Sequence, residues 1–230
     1  MADIINTRDL FLEEAKGPLV LRDKVIRDRT LSNFDLAGEL EKPLCIENCQ
    51  FIDCDIDNAT MALWGGVLLE NVVFNNFRFS GEAIIRPNMC SLNNVKFIDH
   101  RRDVLLTVLP VDVPNWRQFQ SAEWWRGDSD TITLDISEFE GVVSIYGLHA
   151  DGIVLDRDRQ IAFSVPEGFD RRDVSLQSIR WKLVLSRAIE CIDFQLPPDG
   201  VTSLLDKRHR QYDAFMSDLC KLVELGVVKA

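Results

Sequence analysis

Between Ile46 and Ile56 the chain reads IENCQFIDCDI, with apolar side chains at Ile46, Cys49, Phe51, Cys54 and Ile56. Their gaps of three, two, three and two match neither a helical stripe nor a strict strand alternation. The pattern recurs as LENVVFNNFRF from Leu69 to Phe79 and LNNVKFIDH from Leu92 to His100. Upstream it recurs as IRDRTLSNFDL from Ile26 to Leu36. At offsets of 20 and 23 residues the first column is Ile26, Ile46, Leu69 and Leu92, and the central one Leu31, Phe51, Phe74 and Phe97. A third column holds Asp28, Asn48, Asn71 and Asn94. A fourth holds Phe34, Cys54 and Phe77 and is broken by His100, while Met61 and Ala62 fall over Ile84 and Ile85.

A fixed period of this length means one supersecondary unit per repeat, stacked on its neighbours. The Asn, Asp, Cys and β-branched content opposes a helical repeat. The pattern therefore predicts a solenoid of parallel strands, with equivalent residues about 4.8 Å apart on successive rungs. Corners reset which side chains point inward, and the Asn column forms a side-chain ladder. Within NCQFIDCDI, NVVFNNFRF and RTLSNFDL, central Leu31, Phe51 and Phe74 are accompanied by Phe34, Cys54, Ile56, Phe77 and Phe79. On these residues, about 25 to 105, the chain resembles the pentapeptide-repeat proteins and, with its 23-residue coils, the right-handed parallel β-helix proteins. The resemblance implies a mainly β fold of that type.

The ends read differently. Residues 7 to 16, from the N-cap candidate Thr7 to just before Gly17, predict a short capping helix with Leu10, Phe11 and Glu14 on it. Pro110 and Pro114 mark a boundary after which the repeat is lost. The expected organisation is an N-terminal cap over 1–24, a solenoid of about four coils over 25–110, and a β-rich region over 111–230. In that region TITLDI, GVVSIYGL, GIVLD and IAFSV read as strands, either of further coils or of a separate domain. IRWKLVL and IECIDFQL read as two strands or as one helix. Leu205, Tyr212, Phe215, Met216, Leu219, Leu222 and Val223 fit an amphipathic helix over 203–225, which Gly226 ends.

Composition then narrows the function. Hydrophobic content of 46% and charged content of 27% are those of a globular protein. No apolar run approaches the roughly 18 residues of a membrane span. The N-terminus lacks the basic and apolar regions of a secretory signal, so cytoplasmic residence is expected and the six cysteines are expected to be free thiols. The net charge is −11, and residues 1–110 carry 17 acids against 12 bases, residues 111–230 20 against 14. Acidity spread over the whole chain argues against binding nucleic acid and fits a basic protein partner.

Chemistry is sparse. The three histidines stand far apart, and no nucleophile elbow, metalloprotease, P-loop or dinucleotide motif occurs. No catalytic, cofactor or metal residues are assigned, and no cofactor is expected. Asp53, Asp55 and Asp57 alternate and could aim three carboxylates from one strand face, the best lead toward a β-helix carbohydrate-active enzyme. They lack the glycine and twelfth-position acid of a calcium loop. The segment from Trp124 to Glu140 sets Trp124 and Trp125 beside Asp128, Asp130, Asp135, Glu138 and Glu140. Aromatic anchors next to charge are the makings of a protein interface. The leading expectation is a non-catalytic acidic binding module, an inhibitor of the immunity type that neutralises a basic partner such as a toxic enzyme. The resemblance also implies an alternative, an acidic rod that imitates DNA on a topoisomerase.

Overall fold

The computed structural model describes residues 4–13, 17–57, 60–79, 81–123, 133–169 and 174–228. The chain winds into a parallel β-solenoid of about six turns. Its strands gather into a nine-stranded sheet, a seven-stranded sheet and a short three-stranded one. In the first sheet Leu19–Arg22, Leu44–Glu47, Val67–Asn75, Cys90–Asp99 and Leu134–Phe139 lie side by side. In the second, Asp35–Ala37, Met61–Gly65, Glu82–Ile85, Leu105–Val108 and Val142–Tyr146 do the same.

The corners explain the irregular apolar spacing. Asp23, Asp28, Asn33, Asn48, Asp53, Asn71, Asn76 and Asn94 all have left-handed backbones, with φ between 50° and 57°. Asn and Asp are the side chains that tolerate this region best, because their short polar groups bond locally. Within a turn they recur every five residues, so each five-residue unit supplies one short strand and one corner. The interior is a continuous apolar stack. Phe51 and Phe74 lie 5.2 Å apart and nearly parallel, and Phe74 and Phe97 4.8 Å apart. Phe34 and Phe77 meet their edges. Cys49 and Cys54 are fully buried in the same core.

The first-turn register differs from the sequence alignment by one five-residue unit. Leu21 pairs with Ile46 and Ile26 with Phe51, an offset of 25 residues and not 20. Leu31 lies over Ile56, and Asp23, not Asp28, heads the Asn column. Leu21, Ile26 and Leu31 are apolar alike and Asp23, Asp28 and Asn33 share one backbone conformation, so a slip of five preserves the pattern. On the second sheet Met61 pairs with Ala83 and Ala62 with Ile84, an offset of 22. That single-residue difference turns Ile84 outward, since side chains alternate along a strand.

The N-terminal capping helix is not formed among the described residues. Ile4–Asn6 pairs with Thr30–Ser32, Thr7–Leu10 makes one 3₁₀ turn, and Leu12–Glu13 adds antiparallel to Leu19–Arg22. Thr7 is buried and its hydroxyl donates to Ser32 O at 2.7 Å. A ten-residue helix is hard to nucleate, whereas the open edge of the first turn offers backbone groups that a strand satisfies.

Beyond Thr133 the coils resume. Leu134–Phe139 and Val142–Tyr146 make the next turn, and Ile153–Val154 extends the first sheet. Asp199–Ser203 then inserts antiparallel between Val142–Tyr146 and Gln160–Ser164. Three α-helices are present among the described residues: α1 (Trp116–Gln120), α2 (Ile179–Asp193) and α3 (Tyr212–Glu224). The segment that reads as two strands or a helix is α2. Ser178 caps it, and buried Asp218 accepts from the N–H groups of Gln177 and Ser178, both at 2.7 Å. The terminal helix starts at Tyr212, later than the apolar pattern suggests. Ser203 belongs to a strand, and Asp206 holds a turn by accepting from Arg208 N. Gly226, with φ +69°, follows its end. Helices α2 and α3 share a second core in which Trp181 stacks on Phe215 at 5.1 Å. Among the described residues no helix is long and apolar enough to cross a membrane.

Candidate functional site

Of the segment from Trp124 to Glu140, residues Trp124, Trp125, Asp128 and Asp130 lie outside the described residues. Asp135 projects outward between buried Leu134 and Ile136. Its carboxylate accepts from the N–H and hydroxyl of Ser137, at 3.0 and 2.7 Å, and faces Lys96 Nζ at 3.3 Å. Burial pushes its pKa up, but the two Ser137 hydrogen bonds and Lys96 outweigh that and hold it below the ordinary carboxylate value. A break in register between Lys96 and Ile98 brings Glu138 to the same lysine, at 2.6 Å.

Glu140 sits at the next corner among three nitrogen groups. Arg102 and Arg159 approach it at 3.2 Å each and His100 at 3.6 Å. The Arg102 hydrogen bond, with Arg159 behind it, holds this carboxyl below its usual range. The three acids thus share one edge of the solenoid, and each has a cation supplied by a neighbouring turn. Sequence reading missed these cations. Leu134 pairs with Val95 across 39 residues, so the inserted segment hides the alignment of Lys96 with Asp135.

Asp53, Asp55 and Asp57 all point away from the core but do not form one carboxylate cluster. Asp53 occupies a left-handed corner and accepts from Asn76 Nδ2 at 2.6 Å. Asp55 accepts from Arg78 Nε and Nη2, at 2.5 and 3.0 Å, and Arg78 holds its pKa down. Asp57 is exposed. Among the described residues no group of three His, Cys, Asp or Glu side chains could hold a metal ion. The corner columns act as ladders instead. Asn94 donates to Asn71 at 2.8 Å, Asn71 to Asn48 at 3.0 Å, and Asn48 to the Asp23 carboxylate at 3.1 Å.

Among the described residues, which include all six cysteines, no disulfide forms. Burial pushes Cys90 and Cys191 up to about 12, which leaves them neutral and unreactive at physiological pH. Two open depressions of about 540 and 650 Å³ flank α1, both lined in part by Arg117 and Gln118. Trp116 is buried there against Phe194 and stacked under Arg117. No family model, curated protein or solved structure matches the chain.

Proposed function

We propose that the protein is a non-catalytic binding module that docks on a basic protein and inhibits it, in the manner of an immunity protein. The observation that carries this reading is a net charge of −11 spread over a scaffold whose outward side chains are held in place rung by rung. A surface with fixed charge positions loses little freedom on binding, and its potential both speeds and orients association. The edge formed by Asp135, Glu138 and Glu140 is the proposed docking face, and Trp124 and Trp125, which precede it in the sequence, are proposed as its aromatic anchors. A basic partner there takes the place of Lys96, Arg102 and Arg159, so binding weakens as salt rises.

A second reading draws on the corners. Left-handed Asp or Asn at five-residue intervals and a stacked Phe column favour kinship with the pentapeptide-repeat rods, and with it mimicry of DNA on a topoisomerase. One experiment separates the two. The purified chain is immobilised, incubated with native lysate, and the retained proteins are identified by mass spectrometry. A small basic enzyme supports the inhibitor, a topoisomerase the mimic, and retention of nothing at low salt contradicts both.

A further inference from the structure

The outer face of the second sheet is unusually apolar for a surface otherwise built from charges. On Glu82–Ile85, Leu105–Val108 and Val142–Tyr146, alternate residues point out and are partly exposed. Glu82, Leu105 and Val142 align in one row across three turns, and Ala62, Ile84, Thr107 and Ser144 in the next. Beyond them Arg86 lies over the Trp64 ring at 5.1 Å. Trp64 is 41% exposed and Val142 38%. Farther along the same sheet this face is already covered by α2, whose Arg180 donates to Thr202 Oγ1 at 3.0 Å. The open part is therefore continuous with a surface that packs a helix.

Two arginines border the open part, and among the described residues neither forms an ion pair with a carboxylate. Arg86 donates to Leu109 O at 3.2 Å, while its Nε is buried without an acceptor. Among the described residues Arg180 donates to the Thr202 hydroxyl and to no carboxylate. Burial pushes the pKa of both downward, although the nearby Glu82 charge offsets part of this at Arg86. Two arginines outside any ion pair among the described residues, beside a largely apolar row and with a tryptophan under one of them, present the residue types that dominate binding energy.

We propose that this face docks an acidic amphipathic segment of another protein, whose carboxylates pair with Arg86 and Arg180 while its apolar side chains cover Trp64, Ile84, Leu105 and Val142. The surface is distinct from the acidic edge at Asp135 to Glu140 and selects the opposite charge. The test uses two labelled synthetic amphipathic helices of about four turns, one built from Leu and Glu, the other from Leu and Lys. Each is titrated against the full chain by fluorescence anisotropy. The Glu peptide binds, binding weakens as salt rises, and Arg86→Gln and Arg180→Gln each reduce affinity tenfold or more. Because Arg86 is partly buried, Val142→Glu, at an exposed position, serves as a second variant: it sets a like charge against the carboxylates of the peptide and reduces affinity similarly. Glu138→Gln leaves it unchanged. Failure of the Glu peptide to bind, equal or tighter binding of the Lys peptide, or full affinity in the arginine and Val142 variants overturns the proposal.

Discussion

At the scale of single residues, the solenoid depends on two columns with different physics. Phe74 is the middle ring of a three-ring stack and is 1% exposed. Phe74→Ala removes the ring and leaves a cavity that rigid neighbouring rungs cannot close, so it costs about 3 to 5 kcal/mol in denaturant unfolding. A loss under about 1 kcal/mol would place the ring outside the core. Asn71 works differently, because its ladder bonds are exposed and its main task is backbone conformation. Asn71→Ala removes the short polar group that lets a residue with a Cβ tolerate the left-handed region, at about 1 to 2 kcal/mol. Asn71→Gly regains most of that loss while also lacking the amide. Equal losses in the two variants would assign the role to the ladder instead.

The acids on the proposed edge are not interchangeable. Asp135 is hydrogen-bonded twice to Ser137 and only 21% exposed at its side chain, whereas Glu138 is 52% exposed. Asp135→Lys strands the Ser137 donors and sets two lysines together, which lowers stability by about 1 to 3 kcal/mol. Glu138→Lys also faces Lys96, but at 52% exposure its side chain can turn into solvent, and the cost stays within about 1 kcal/mol. Binding experiments on the edge therefore belong on Glu138. Asp135 and Asp55 both have depressed folded-state pKa values. Their contribution is fully present above the unfolded value of 3.8 and disappears as pH falls through the lower folded value. Acid titration of Asp55→Asn, followed by circular dichroism, should show a shallower loss of stability below that value than the parent shows.

At the scale of elements, what was legible in the sequence follows from where the repeat stays regular. From Leu44 to Asp99 the offset on the first sheet is a constant 23 residues, so the Phe column and the Asn ladder could be read directly. The first turn could not, because each five-residue unit resembles the next and the alignment slides by one unit without penalty. The N-terminal strands escaped because their apolar spacing over so few residues also fits a helix. Tertiary pairing with Thr30–Ser32 decides between the two. Arg78 could have been placed, since it follows Asp55 by one period. Lys96 and Arg159 could not, because their partners lie across insertions of unrelated length.

At the scale of the whole molecule, a parallel stack has two open ends, and this chain closes them with different devices. A short antiparallel strand and a 3₁₀ turn close the first turn, and an inserted antiparallel strand with two helices closes the last. Asp199–Ser203, between two other strands, ties the C-terminal closure into the second sheet. On the reading proposed above, this scaffold presents an acidic edge at Asp135 to Glu140 and a second face bordered by Arg86 and Arg180. The most direct measurement is retention from native lysate by the immobilised chain, at low salt and then across a salt gradient. The account predicts that a basic protein is captured, released as salt rises, and captured less by Glu138→Lys. A chain that retains nothing, or whose only retained proteins are acidic and still bind Arg86→Gln, would contradict it.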